Sequence, residues 1–185
     1  DTALDIVAVD LPGHGRSDWL PPGHPYQLTQ AVTRVLGIAD ALGWQRFALL
    51  GHSMGAAIGA LVAAAAPERV VALVSIDALG PLAARPGQSV EQLRRFVAAG
   101  TAPTRPRRVF ASQQAMIDVR MTLNGLDAGS ARLLVERGSQ AVEGGWQWSS
   151  DPALTLPTPI YLAESQVQEL LAAINELGIG PQGFG

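Results

Sequence analysis

The pentapeptide Gly51-His52-Ser53-Met54-Gly55 constrains this chain more than any other stretch. A short apolar run, Arg46-Phe47-Ala48-Leu49-Leu50, precedes it and reads as a buried strand. The segment that follows, 54–66, is rich in Ala and Leu and reads as a helix that Pro67 ends. A G-x-S-x-G pattern at a strand-to-helix junction is the nucleophile-elbow arrangement. A sharp turn there holds the serine in a strained backbone conformation and presents its hydroxyl beyond the strand end. With so tight a turn, both flanking positions, Gly51 and Gly55, are expected to have no room for a side chain.

The segments around this junction alternate regularly. Residues 4–10 form a mostly apolar run with β-branched members and read as a strand ending at Asp10. The turn Leu11-Pro12-Gly13-His14-Gly15-Arg16-Ser17 follows, then a Pro-rich loop. Apolar residues at 28, 31, 32, 35, 38, 39 and 42 have helical spacing, and Gly43 is placed to stop that helix. A third apolar run, 70–77, reads as another strand. Strand, helix, strand, helix, strand, with strands that look apolar on both faces, is the pattern of a parallel α/β sheet. Such sheets place their chemistry at the carboxyl ends of the strands. The Asp10–Gly15 turn, Ser53 and Asp77 are therefore expected on one rim.

After Gly80-Pro81 the character changes. Pro and Arg cluster in Pro103-Thr104-Arg105-Pro106-Arg107-Arg108, and helical patterns appear near 89–100, 111–123, 127–138 and 164–177. Residues 144–148 look extended, but no further run resembles the first three strands. This half is expected to be a helical lid, with the arginine cluster on a solvated face or, as the alternative, binding an anionic substrate.

Bulk properties narrow the classes. At 185 residues, 48% hydrophobic and 16% charged, the composition is that of a globular protein. A net charge of −3 argues against nucleic acid as a partner. The absence of cysteine removes disulfides, thiolate metal sites and cysteine nucleophiles, and fits a cytoplasmic protein. The longest apolar stretch, 54–66, is short of the roughly 20 residues a membrane helix needs, so no membrane span is expected. No metal-ligand cluster and no phosphate-binding glycine loop is visible, and no cofactor is expected. Oligomeric state leaves no trace in the sequence.

These motifs resemble the α/β-hydrolase fold superfamily. The resemblance rests on Asp10-Leu11-Pro12-Gly13-His14-Gly15-Arg16-Ser17, on Gly51-His52-Ser53-Met54-Gly55, and on Pro67-Glu68-Arg69-Val70 leading into Ile76-Asp77-Ala78-Leu79-Gly80-Pro81. It covers residues 4–174. Within that superfamily the chain is similar to cap-bearing serine hydrolases of the serine hydrolase-like group, through Arg107-Arg108-Val109-Phe110, Trp146, Trp148, Asp151-Pro152 and Glu164. The resemblance implies an α/β fold: part of a three-layer parallel sheet over 1–78, an inserted helical cap over 79–175, and a Gly-rich tail over 176–185. It also implies that the chain begins at the fourth strand of the fold and lacks the closing strands with the catalytic histidine, as a fragment would.

Ser53 is the implied nucleophile, and the backbone N–H of Met54 an oxyanion donor. Asp77, at the end of the third run, is a candidate triad acid or a structural carboxylate, and residue type does not separate the two. A serine hydroxyl needs a base, and only His14, His24 and His52 are present. His52 precedes the serine and is expected to point away from it, His14 is a turn residue, and His24 lies in a Pro-rich loop. His14, His52, Trp146 and Trp148 are candidate pocket residues, although Trp146 and Trp148 also suit packing. The expected substrate is a small, ester-like, partly apolar molecule cleaved through an acyl-enzyme. The alternative is a non-catalytic remnant or small-ligand-binding relative of such enzymes.

Overall fold

A computed structural model describes residues 4–102 and 106–176. Part of the arginine cluster (Pro103, Thr104, Arg105) and all of the Gly-rich tail beyond residue 176 lie outside them.

Helix α1 (Leu28–Ala41) buries Ala31, Val32 and Ala39, as its apolar spacing predicts. It stops at Gly43, whose φ of +73° lets its N–H reach back to the Asp40 carbonyl. Strand β1 (Phe47–His52) runs into Ser53 and helix α2 (Met54–Ala65). Every residue of α2 from Ala56 to Ala63 is buried. The helix is hydrophobic all round because it is covered all round: β1 and strand β2 (Val70–Ile76) lie against it, and so do α1 and helix α6 (Glu164–Glu176). Its small side chains permit this crowding; a methyl group added at Gly59 would press into Leu73 of β2.

Strands β1 and β2 pair in parallel, with Leu49 opposite Leu73 and Leu50 opposite Val74. Between α2 and β2, a 3-10 turn (Pro67–Arg69) aims Arg69 back at the α1–β1 connection. The Arg69 guanidinium donates to the Gln45 and Trp44 carbonyls at 2.7 and 2.9 Å and pairs with Asp40 at 2.6 Å.

Two expectations about these strands need correction. Residues 4–10 form no strand. A strand is made by a neighbour's hydrogen bonds, and among the described residues the ladders are β1–β2 and one antiparallel hairpin, neither of which includes residues 4–10. Leu4 and Ile6 are 79% and 84% exposed. Nor are β1 and β2 covered on both faces. Leu49 and Leu73 face α2, whereas their in-register neighbours Leu50 and Val74 are exposed.

The chain divides into two compact units, Asp1–Pro25 with Ala102–Leu156, and Tyr26–Thr101 with Pro157–Gly185. Helix α3 (Ser89–Thr101) stays with the β1–β2 unit, as does α6, which buries Val167 and Ile174 and packs on α2.

The other unit holds α4 (Gln113–Asn124) and α5 (Ala128–Gly138) around Phe110, Met116, Ile117, Ala131 and Val135. Ser112 and Asp127 cap the two helices with side-chain hydrogen bonds. This half is not purely helical. Strands β3 (Ser139–Val142) and β4 (Gly145–Trp148) form an antiparallel hairpin. Glu143 and Gly144 make its two-residue turn, and Gly144 and the first residue of β4, Gly145, are at positive φ. Trp146 also exchanges backbone hydrogen bonds with Phe110.

Among the described residues no helix is long and apolar enough to cross a membrane.

Candidate active site

The apolar run of β1 ends at His52, and the chain must reverse at once to enter α2. Ser53 absorbs the turn, with φ +50° and ψ −113°. Its N–H donates to the Ile76 carbonyl at 2.8 Å, which fastens the elbow to β2. The next residue after Ile76, Asp77, has φ +63°. Among the described residues, Ser53 and Asp77 are the non-glycine positions at positive φ, and they terminate adjacent parallel strands. A side chain in that region costs on the order of 1–3 kcal/mol unless its surroundings enforce it.

The elbow needs one of its glycines more than the other. A Cβ at Gly51 would sit 2.5 Å from the Ala56 nitrogen and overlap the Gly55 carbonyl group. A Cβ at Gly55 would meet nothing within 4 Å. The expectation that both positions exclude side chains therefore holds for Gly51 and fails for Gly55, which already lies on the outer side of the first turn of α2.

His52 does not simply project into solvent. Its Nε2 lies 3.7 Å from Asp77 Oδ2, with the side chains 66% and 74% exposed. Sequence reasoning missed this pairing. Its source is the register, which sets His52 opposite Ile76 and so next to Asp77. Met54 opens α2, and its N–H is one of the amino-terminal donors that a helix leaves without an internal partner. Within this unit, among the described residues, no hydrogen bond joins the Ser53 hydroxyl to His52.

The remaining candidates belong to the other unit. His14 Nδ1 lies 3.1 Å from the Pro12 carbonyl, within the turn itself. Asp10 closes that turn. Its carboxylate accepts the Arg16 N–H at 3.0 Å and pairs with Arg137, while its carbonyl accepts the Ser17 hydroxyl. The Arg16 N–H, aided by Arg137, holds the Asp10 carboxyl below the usual carboxylate range. Within its own unit the structure thus brings Ser53 and Asp77 to one strand-end rim, while Asp10 and His14 shape a turn of the other unit.

Trp146 and Trp148 pack on the Phe110–Met116 core, and Arg120 lies 4.4 Å over the Trp148 ring. The arginine cluster is more than a wet face. Arg107 donates to the Trp148 and Ser150 carbonyls and lies 5.0 Å over Trp19, and Arg108 lies 4.4 Å over Phe110. Among the described residues no group of three or more His, Asp or Glu is placed to hold a metal ion.

This geometry has known relatives. The family model described as alpha/beta hydrolase fold matches residues 1–151, and the chain belongs to that family. A serine hydrolase-like protein of Danio rerio is 30% identical over 92% of this chain and 54% of its own length. A human serine hydrolase-like protein is 34% identical over 67% of this chain and 63% of its own length. The crystal structure of a hypothetical protein from Pseudomonas aeruginosa PAO1 superposes with a TM-score of 0.82 at 34% identity, covering 88% of this chain and 58% of that one. The chain spans about half the length of the first curated relatives it matches.

Proposed function

We propose that this chain carries the nucleophile of a serine hydrolase that cleaves a small, partly apolar ester through an acyl-enzyme on Ser53. The observation that carries this reading is the pair of strained residues, Ser53 and Asp77, at the ends of adjacent parallel strands. In the reaction the Ser53 oxygen bonds to the ester carbonyl carbon and its proton passes to a base. The Met54 N–H stabilises the oxyanion that forms, and the alcohol leaves as the tetrahedral intermediate collapses. Water then attacks the acyl-enzyme, releases the carboxylic acid and restores the serine.

Asp77 serves as the carboxylate that orients the base histidine. In an active form of the protein, Asp77→Asn lowers kcat by about 10³–10⁴ with the melting temperature unchanged. Near-normal turnover would return Asp77 to a structural role. The unit built on α4, α5 and the β3–β4 hairpin takes the part of the substrate-selecting cap.

Labelling with a fluorophosphonate tests the nucleophile, because the probe captures only an activated serine. His52, the histidine of the same unit, makes no hydrogen bond to the Ser53 hydroxyl among the described residues, so the unassisted chain is expected to stay unlabelled. Added imidazole, standing in for the missing base, brings up labelling that Ser53→Ala abolishes. Labelling that survives Ser53→Ala, or its absence at every imidazole concentration on the folded chain, would remove Ser53 from this role. That His52 makes no hydrogen bond to Ser53 also favours a second reading, a non-catalytic protein that holds a small ligand. That reading gains if imidazole never activates the serine.

A further inference from the structure

Beyond Asp77 the chain turns through Gly80-Pro81 and runs past residues 159–162. Ala83 bridges Leu162, and the Ala84 N–H donates to the Leu162 carbonyl at 2.6 Å. The Gln92 side chain on α3 donates to the Thr158 carbonyl. These links tie three segments of one unit around a hollow of about 490 Å³. That volume falls among small-molecule sites, which run from about 300 to 1,000 Å³.

The walls of the hollow are apolar. Leu82, Val90, Leu93 and Ile160 line it, and all four are exposed. Charge sets the polarity of what fits. Arg85 is the only charged residue of the lining, and among the described residues it has no ion-pair partner. Gln88, Ser89 and Tyr161 add neutral polar groups beside it. Arg85 is exposed, so water solvates its guanidinium in the absence of a ligand; a cation would be repelled, and an anion would gain charge-assisted hydrogen bonds that a neutral molecule could not. A carboxylate matches the planar fork of an arginine.

We propose that this hollow binds an anionic amphiphile, a medium-chain carboxylate whose tail lies on Leu82, Val90, Leu93 and Ile160 and whose head meets Arg85. The proposal stands apart from the chemistry at Ser53 and needs none of it.

Isothermal titration of the 185-residue chain with decanoate, and with the neutral decanamide, tests it. Decanoate binds saturably with one molecule per chain, about tenfold tighter than decanamide, a ratio worth about 1.4 kcal/mol. Arg85→Gln erases that preference. Leu93→Asp removes decanoate binding, since it deletes apolar wall and adds a like charge, while the far-ultraviolet circular dichroism is unchanged because Leu93 is exposed. Should Leu93→Asp unfold the chain, Ile160→Asp on the facing segment gives the same reading. No saturable decanoate binding by the folded chain would overturn the proposal. So would an Arg85→Gln variant that keeps the preference for the anion.

Discussion

The β1–α2–β2 region and the α4–α5–hairpin region solve the same packing problem with opposite materials. Helix α2 is built of Ala, Gly and a few branched residues, so it lies close enough to the sheet for a methyl group at Gly59 to intrude on Leu73. The second region uses bulk. Phe110, Met116, Trp146 and Trp148 fill its interior, and arginine guanidiniums cover the rings. The backbones differ too. In the second region every positive φ among the described residues falls on a glycine, at 125, 144 and 145. In the first, Ser53 and Asp77 take that conformation with side chains attached. Close packing by small residues over-determines the elbow, and that rigidity lets a strained serine persist. The second region stores no such strain, which suits a packing unit.

The comparison breaks first at Gly51. Gly51→Ala drives a methyl group into the Gly55 and Ala56 backbone, where no side chain can yield. A loss of more than about 4 kcal/mol in urea unfolding is expected, with the imidazole-dependent labelling of Ser53 lost as well. A mild loss would mean the elbow is looser than its dihedral angles say. Met116→Ala attacks the other region, where it empties a fully buried site among Ile117, Ala131 and Val135. It costs about 2–5 kcal/mol and should leave the elbow's labelling intact.

Asp10 sharpens the contrast between carboxylates. It is answered by the Arg16 N–H and by Arg137, whereas Asp77 faces His52 across 3.7 Å. A carboxyl whose pKa is lowered by folding stabilises the folded state above its unfolded pKa of about 4. That contribution is lost as pH falls through the lower, folded value. Asp10→Asn should therefore cost up to about 1 kcal/mol at neutral pH, the pair being partly exposed and screened. The difference from the unaltered chain should shrink below about pH 4, as paired unfolding curves at neutral and acid pH would show. A difference independent of pH would separate the effect from charge. The smallest effect belongs to Gly55→Ala, which meets open space in the first turn of α2. Stability should change by no more than about 0.5 kcal/mol, or rise slightly through helix propensity.

What the sequence determined by itself was local. The spacing of apolar residues along α1, the Ala-rich run of α2 and the glycine at the elbow each act within a few residues of themselves. The elements around Ser53 were therefore legible to within about two residues, and so were α3 to α6. The tertiary structure decided whatever depends on a partner. Residues 4–10 have the composition of a strand and are not one, because a strand exists only through its neighbour's hydrogen bonds. The extended run at 144–148 was legible, but β3 and its pairing went unread because so short a strand carries little alternation, and the Glu143-Gly144 turn and the bridge to Phe110 hold the pair together. Gly51 and Gly55 look alike in a motif, and only the path of α2 separates the one that is crowded from the one that is free. The His52–Asp77 contact follows from register, which no single strand encodes. Arg107 and Arg108 are charges in the sequence; the positions of Trp19, Phe110 and the Trp148 carbonyl make them part of the packing.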